Sequence, residues 1–566
     1  MNASAPLIVQ ADHTILLETG HPAFEAAREM LCRFAELVKS PEHVHFYKTT
    51  ALSLWNAAAV GLAIDEIVAW VLQNSRFPVG TAVLDDLRAW HGRYGQVRFV
   101  PGPEAGTILL QIQDQKVQKQ LLAQRSLQEA GGGLLATPAG VLFAAGFRGA
   151  LKQALTRLGW PVEDLAGYAS GAPLALALRT TCRSGRAFAV RPYQSAAAAA
   201  FHAKGQVSGG CGVVVLPCGA GKTVVALAAL ELLQMHTLIL TTNTVAVHQW
   251  RQELLDKTTL LEDEVGEYTG EHKQIRPVTI ATYQILTWRK DRLGEFQHFG
   301  LFADHPWGLV VYDEVHLLPA PVFRATAAIQ AKRRLGLTAT LVREDGKEHE
   351  VFALIGPKRF DLQWKQLERQ GWLAEAKCAE VRVPMSEATL QRYRCAGAKE
   401  RFRVASENPQ KQEVVGALLQ RHAGDRVLVI GHYLDQLERL ATVFGIALIT
   451  GKTRTEERER LFGAFKRGEI TQLCVSKVGN FAIDLPDANV AIQISGTFGS
   501  RQEEAQRLGR VLRPKPNGNA AWFYSLVSEV SCEQEFARKR QLFLTEQGYS
   551  YSIVSAHEVA VQRRCS

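Results

Sequence analysis

The chain has 566 residues, and at ordinary domain sizes this length predicts about three to five domains. Hydrophobic residues make up 47% of the chain and charged residues 21%, which excludes wholesale disorder. No run of about 18 apolar residues occurs, so no membrane partner is expected. Nine cysteines without a Cys-x-x-Cys pair, and a start without a basic region, predict free thiols and a cytoplasmic protein.

The net charge of +9 lies almost entirely in the second part of the chain. Residues 1–185 contain 16 basic and 15 acidic side chains, whereas residues 186–566 contain 49 and 41. Such a surplus suits a polyanionic partner, although it is equally ordinary for a soluble protein of this size.

The first 185 residues predict two small accessory domains. Residues 1–100 are expected to form a mostly helical domain, similar to a winged-helix domain, that ends in a short extended piece at 96–100. Apolar spacing predicts its helices at 21–39, 51–59, 65–73 and 81–94. The Pro-Gly-Pro sequence at 101–103 predicts a linker, and residues 101–185 predict a small α+β domain with a strand at 108–112 and a helix at 147–159.

From residue 186 onward, short apolar runs alternate with amphipathic helices, and the alternation occurs twice. The first series predicts buried strands at 213–216, 237–240, 278–281, 309–312 and 335–337. The second predicts strands at 427–430, 447–449, 472–475, 490–494 and 521–524. This pattern predicts an α/β architecture with two tandem, doubly wound parallel sheets, in domains spanning 186–375 and 376–566.

The segment Leu216–Thr223 lies between a predicted strand and a predicted helix and has the pattern of a phosphate-binding loop. Gly219 and Gly221 allow backbone N–H groups to surround phosphates, and the helix N-terminus adds the positive end of its dipole. Lys222 is expected to reach the β- and γ-phosphates, and Thr223 to bind Mg²⁺. The other nucleotide contacts predicted in this loop are Pro217, Cys218 and Ala220.

An apolar run that ends in Asp313 and Glu314 predicts the second half of a nucleotide site. Asp313 is expected to bind Mg²⁺, and Glu314 to polarise the water that attacks the γ-phosphate. An acidic pair after a strand is by itself ordinary surface charge. Together with a phosphate-binding loop it indicates ATP hydrolysis.

Polar residues also follow two other predicted strands: Thr242 and Asn243 after the first, and Thr282 and Gln284 after the second. Their hydroxyls, amides and backbone N–H groups are suited to hold the phosphates of a nucleic-acid strand. An ordinary loop is an equally good interpretation of these residues.

These motifs, with Leu337–Thr340 and Gln506–Arg513 further along, resemble those of superfamily 2 helicases, in particular the XPB family of DNA repair helicases. Leucine at position 216, where the strict loop pattern has glycine, is typical of helicases. The segments Arg191–Gln194, Arg343–Asp345 and 478–486 fit the family, and several stretches before residue 170 resemble its bacterial branch. The resemblance covers almost the whole chain.

The resemblance implies two RecA-like motor domains, with residues 101–180 corresponding to a damage-recognition-like domain. It also implies roles for individual residues. Arg191 and Gln194 would read the adenine; Gln506, Arg510 and Arg513 would act in catalysis, the two arginines as arginine fingers; His316, Thr338, Thr340, Gly479 and Asp484 would couple nucleotide to DNA; Arg343, Glu344 and Asp345 would open DNA.

Two features leave questions open. A basic helical stretch near 386–410 is similar to the family's thumb-like element that grips DNA, while a solvated helix face is the competing interpretation. At 480–482 the sequence has Asn480, Phe481 and Ala482 where the family usually has Asp-Thr-Ser, which predicts altered coupling of ATP to DNA.

The sequence therefore predicts an ATP- and Mg²⁺-dependent DNA helicase or translocase of DNA repair, and the resemblance implies 3′-to-5′ movement. The accessory domains are expected to bind distorted DNA or a partner such as a nuclease. One alternative is an ATP-switched clamp that binds duplex DNA with little unwinding, and another is an RNA helicase.

Overall fold

The structure is a computed structural model, and it describes most of the chain. The described residues are 4–40, 43–217, 219–290, 297–298, 300–303, 305–318, 322, 326–327, 329, 332–339, 348–362, 364–372, 376–476, 488–495, 521–546 and 551–561. The chain divides into two compact units: Met1–Leu216 with Gly221–Asp361, and Pro217–Ala220 with Leu362–Ser566.

The first unit begins with an antiparallel sheet of strand order β1-β2-β4-β3, followed by helices. Its elements are β1 (Leu7–Val9), β2 (Thr14–Glu18), α1 (Phe24–Leu31), β3 (Glu36–Lys39), β4 (Val44–Lys48), α2 (Ala51–Ala59), α3 (Ile64–Asn74) and α4 (Thr81–Gly92). The expectation of a mostly helical segment is confirmed for the last three helices.

That expectation is wrong for β1 to β4, because burial in these segments follows the two-residue period of strands. Strand β2 buries Ile15 and Leu17, and β4 buries His45 and Tyr47, in strict alternation with less buried neighbours. The helix expected at 21–39 ends at Leu31, and the chain then re-enters the sheet as β3.

A second, mixed sheet of strand order β7-β8-β6-β5-β9 forms the small α+β domain. Its elements are β5 (Val97–Pro101), β6 (Thr107–Ile112), α5 (Gln115–Leu122), α6 (Arg125–Gly131), β7 (Leu135–Thr137), β8 (Gly140–Ala144), α7 (Arg148–Arg157) and β9 (Val162–Asp164). The assignment of 96–100 to the preceding helical domain is wrong, because β5 pairs with β6 and β9. The Pro-Gly-Pro sequence at 101–103 turns the chain between β5 and β6 instead of linking two domains.

A buried ionic triad joins α7 to β9 in this small domain. Arg148 Nη2 lies 2.7 Å from Asp164 Oδ1, and Lys152 Nζ lies 3.0 Å from Asp164 Oδ2. Burial alone would raise the pKa of Asp164, but the two cations hold it well below its ordinary value. The carboxylate therefore stays ionised, and each buried charge has a partner.

The first unit also contains a parallel sheet of strand order β12-β13-β11-β14-β15-β10-β16. Its strands are β10 (Cys211–Val215), β11 (Thr237–Thr241), β12 (Val265–Tyr268), β13 (Val278–Thr282), β14 (Leu309–Asp313), β15 (Arg333–Thr338) and β16 (Lys358–Asp361). Its helices are α8 (Pro192–His202), α9 (Lys222–Leu233), α10 (Thr244–Lys257), α11 (Tyr283–Leu286), α12 (Gly300–Ala303) and α13 (Glu348–Leu354). The five strands predicted from apolar runs are confirmed as the inner strands, whereas the edge strands β12 and β16 have charged sequences that the apolar criterion misses.

The second unit contains another parallel sheet, of strand order β19-β20-β18-β21-β22-β17-β23. Its strands are β17 (Ala376–Val383), β18 (Val427–Gly431), β19 (Ala447–Ile449), β20 (Gln472–Ser476), β21 (Val490–Gln493), β22 (Ala521–Ser528) and β23 (Tyr551–Ser555). Its helices are α14 (Trp364–Arg369), α15 (Glu387–Cys395), α16 (Ala398–Ser406), α17 (Gln410–Arg421), α18 (Leu434–Phe444), α19 (Thr455–Arg467), α20 (Glu533–Glu546) and α21 (Ala556–Val561).

Two tandem α/β domains with parallel sheets are therefore confirmed. The predicted boundary at 375/376 lies after α14, whereas the second compact unit already contains the chain from Leu362 onward. In the described residues no helix is both long and apolar enough to cross a bilayer.

Candidate nucleotide site and adjoining strand ends

The predicted phosphate-binding loop lies between the carboxyl end of β10 and the start of α9. Strand β10 is an inner strand of the seven-stranded parallel sheet of the first unit. Leu216 N donates to Thr338 O at 2.9 Å, which anchors the start of the loop to β15. Gly219 and Gly221 have φ of +80° and +81°, a region that favours glycine. A Cβ on Gly221 would lie 2.4 Å from Gln194 Nε2, so another residue here would displace the Gln194 side chain as well as adopt a strained φ.

Lys222 and Thr223 are the first two residues of α9, and the helix has no side-chain cap because Gly221 occupies the N-cap position. Backbone N–H groups at such a terminus, together with a lysine, are the usual donors to phosphate oxygens. The loop therefore fits the triphosphate of a nucleotide.

Asp313 and Glu314 lie at the carboxyl end of β14, which pairs with β11 and β15. Lys222 Nζ lies 3.5 Å from Glu314 Oε1, so the two halves of the predicted site meet. Glu314 has a φ of +52°, a conformation that is strained for any residue but glycine and that clusters at functional sites.

Burial at the strand end and the nearby Glu314 charge raise the pKa of Asp313 to about 6, while a hydrogen bond from Trp250 opposes the shift. A carboxylate that has lost much of its hydration gains strongly from a divalent cation. Asp313, with the Thr223 hydroxyl near the loop, thus has the chemistry of a Mg²⁺ ligand set.

His316 and Thr338, both predicted to couple nucleotide to DNA, are hydrogen bonded. His316 Nδ1 lies 2.7 Å from Thr338 Oγ1, and both side chains are buried. His316 Nδ1 also lies 3.6 Å from Glu314 Oε2. The structure thus links Glu314 to the end of β15, and the coupling role itself stays a prediction.

Arg191 and Gln194 begin α8 beside the loop. Arg191 N donates to Gln194 Oε1 at 2.9 Å, and Arg191 Nη1 donates to Tyr193 Oη at 3.0 Å. Gln194 is buried against Gly221. The pair therefore borders the phosphate-binding loop, and adenine recognition stays a prediction.

The polar residues predicted to hold nucleic acid come together at the carboxyl edge of the sheet, because β11 and β13 are parallel neighbours. Gln284 Nε2 donates to Thr242 O. Asn243 Oδ1 caps α10 by accepting from Ala246 N at 2.9 Å, and Thr282 Oγ1 caps α11. Their role as helix caps explains Asn243 and Thr282 locally, and contact with DNA stays a prediction.

Two residues at this site were missed by the sequence analysis. Trp250 Nε1 donates to Asp313 Oδ2 at 2.9 Å, and Tyr283 Oη donates to Asp313 O at 2.9 Å. In the sequence Trp250 has helical spacing with Val247 and Leu254, which is typical of a core residue. No local pattern indicates a partner 63 positions away.

Several predicted site residues lie outside the described residues, so the roles predicted for them stay predictions. These are Cys218, Thr340, Arg343, Glu344, Asp345, Gly479, Asp484, Gln506, Arg510 and Arg513, together with the unusual Asn480, Phe481 and Ala482.

Models of three protein families match the chain. The model described as ERCC3/RAD25/XPB C-terminal helicase matches residues 367–564, and the model described as type III restriction enzyme, res subunit, matches residues 187–343. A model described as helicase conserved C-terminal domain matches residues 7–136.

Similar proteins extend over nearly the full length. The chain is 52% identical to "DNA 3′-5′ helicase XPB" of Kineococcus radiotolerans, over 98% of this chain and 97% of that protein. It is 50% identical to the protein of the same name in Mycobacterium tuberculosis, over 98% of each. It is 31% identical to the "General transcription and DNA repair factor IIH helicase/translocase subunit XPB/SSL2" of Saccharomyces cerevisiae, over 98% of this chain and 72% of that protein.

Proposed function

The chain belongs to the XPB family of DNA helicases, and from that premise we propose that it hydrolyses ATP, with Mg²⁺, to move 3′ to 5′ along DNA and separate its strands. The observation that carries the proposal is the meeting of Lys222 and Glu314 at 3.5 Å. It brings the predicted phosphate-binding loop next to the acidic strand end, which supports one nucleotide site formed by both. DNA repair in the cytoplasm is the proposed setting.

Lys222 and the N–H groups at the start of α9 hold the phosphates, and Thr223 with Asp313 hold the cation. Bound ATP would supply the phosphoanhydride bond. Mg²⁺ would supply positive charge that offsets the negative charge developing on the phosphate oxygens. Lys222 exchanges Glu314 for the phosphates when nucleotide binds. The freed Glu314 carboxylate then orients the attacking water and accepts its proton.

His316 connects this site to the end of the neighbouring strand β15. Its hydrogen bond to Thr338 connects the neighbourhood of Glu314 to β15, so a change at the phosphates alters the end of that strand. The strand-end residues Thr242 and Gln284 hold one strand of DNA on the same edge of the sheet. From the family resemblance we also propose that Arg343–Asp345 open DNA, that Gln506, Arg510 and Arg513 assist hydrolysis, and that a repair factor such as a nuclease is a partner.

We expect single-stranded or forked DNA, and not RNA of the same sequence, to stimulate ATP hydrolysis. The measurement is phosphate release by the full chain at constant salt with each nucleic acid in turn. Because phosphate contacts release counterions, log affinity for DNA should fall by roughly 0.7–0.9 per contact for each unit of log salt. Equal or greater stimulation by RNA would favour an RNA helicase, and DNA binding that is insensitive to salt would contradict the proposal.

A further inference from the structure

Two aromatic side chains connect the strand ends predicted to hold DNA to the residue predicted to hold Mg²⁺. Trp250 lies on α10, which follows Thr242 and Asn243, and Tyr283 is the first residue of α11, which follows Thr282. Both donate to Asp313, Trp250 to its carboxylate and Tyr283 to its backbone carbonyl. The two segments thus reach the same residue of β14.

We propose that Trp250 and Tyr283 are positioning residues: they fix Asp313 for the divalent cation and tie its orientation to the segments that engage DNA. The inference deepens the proposed function and rests on it for the role of DNA. The positioning of Asp313 for the cation does not depend on DNA, and can be tested without it.

The carboxylate has two oxygens, and the indole N–H occupies one of them at 2.9 Å. A charge-assisted hydrogen bond of this kind restricts rotation of the side chain, and the backbone N–H of Glu314 donates to the same carboxylate, so its orientation toward the loop is set from two sides. Trp250 is itself immobilised, with 3% of its surface exposed between Val247 and Leu254, which are both fully buried. The donor therefore cannot swing away without repacking α10.

Tyr283 acts on the backbone of the same residue. Its side chain is 3% exposed, and its hydroxyl holds the Asp313 carbonyl at 2.9 Å, just before Glu314 adopts its positive φ. This hydrogen bond fixes where β14 ends, and hence where both acidic side chains begin.

The two aromatic donors lie on helices that begin at the edge of the sheet that we propose binds DNA. Helix α10 is capped by Asn243, and Trp250 is about two turns further along it. Gln284 ties α11 to Thr242, so the two segments are joined to each other as well as to Asp313. A strand of DNA that shifts either segment therefore displaces a donor of Asp313.

The test uses Trp250→Phe and Tyr283→Phe, which keep an aromatic ring and remove one donor each. Trp307→Phe is the matched control, since Trp307 is 1% exposed and its Nε1 donates at 2.7 Å to Leu301 O in the same domain. The first readout is the affinity for fluorescent N-methylanthraniloyl-ADP with Mg²⁺ and with EDTA, in the absence of DNA.

We expect the Mg²⁺-dependent gain in affinity to fall about tenfold in Trp250→Phe and about threefold in Tyr283→Phe, in line with a charged and a neutral hydrogen bond. The affinity in EDTA should stay unchanged in both variants, and Trp307→Phe should behave like the wild type. If Trp250→Phe and Tyr283→Phe both show the wild-type Mg²⁺ response, the positioning role is wrong. Tyr283→Phe is the milder change and keeps the test decisive if Trp250→Phe does not fold.

The second readout is the factor by which single-stranded DNA stimulates ATP hydrolysis at saturating Mg²⁺. We expect both variants to lose at least half of that factor, while Trp307→Phe keeps it. Full stimulation in both variants would overturn the link to DNA. If the wild type hydrolyses ATP without any response to DNA, the proposed function fails, whereas the Mg²⁺ readout still decides the positioning of Asp313.

Discussion

Glu314→Gln is expected to reduce steady-state ATP hydrolysis by roughly 10²–10⁴-fold, the usual contribution of a positioned general base. Glutamine has the same shape but cannot accept the proton of the attacking water. Nucleotide affinity should be unchanged or higher, because the variant also removes the carboxylate that lies 3.5 Å from Lys222 and competes with the phosphates. Phosphate release and fluorescent-nucleotide binding, measured on the same preparation, separate the two effects.

Glu267→Gln is a suitable control for this substitution. Glu267 is a buried carboxylate on the edge strand β12 of the same sheet, 3.2 Å from His248 Nδ1 and remote from the loop in the strand order. It should keep the wild-type rate. A Glu314→Gln protein that hydrolyses ATP within about threefold of the wild type would remove Glu314 from the proposed chemistry.

Lys222→Ala is expected to weaken nucleotide binding itself, and by this it differs from Glu314→Gln. A lysine that pairs with phosphate oxygens contributes a charge-assisted interaction, so its loss should lower ADP affinity by roughly tenfold to a hundredfold. ATP hydrolysis should fall to background, because the γ-phosphate loses the positive charge that we propose Lys222 supplies.

Lys116→Ala, on the exposed side of α5, controls for the general loss of a positive charge. Both proteins are compared by nucleotide titration and by phosphate release at saturating ATP. Hydrolysis by Lys222→Ala that recovers fully at high ATP would restrict Lys222 to binding and contradict its role at the γ-phosphate.

The positions of Lys222, Asp313 and Glu314 at the edge of the sheet were predictable from sequence, because these residues follow buried strands, whereas their roles toward nucleotide stay predictions. Val213 and Val311 belong to apolar runs that only the centre of a parallel sheet can bury, and such runs end at one edge. The meeting of Lys222 with Glu314 followed from that topology. The hydrogen bond of His316 to Thr338 joins two residues to which the family resemblance gives one role, and that coupling role stays a prediction.

The remaining features depend on contacts that no local pattern encodes. The N-terminal sheet was missed because the helical spacing around Phe24 was extended through β3, where Glu36–Lys39 in fact pairs with β4. Trp250 has the spacing of a core residue, and its hydrogen bond to Asp313 becomes visible only when α10 packs on β11, β12 and β13 of the sheet. Both the pairing of β3 and the hydrogen bond of Trp250 depend on partners that are distant in sequence.

The proposed helicase uses ATP hydrolysis to move along DNA in one direction and to separate its strands. Strand displacement tests it most directly, with matched partial duplexes that carry a single-stranded 3′ tail or 5′ tail and with Glu314→Gln as the control. We expect ATP- and Mg²⁺-dependent displacement from the 3′-tailed duplex, little from the 5′-tailed one, and none by the variant. DNA-stimulated ATP hydrolysis without displacement from either duplex would contradict the helicase and favour an ATP-switched clamp on duplex DNA.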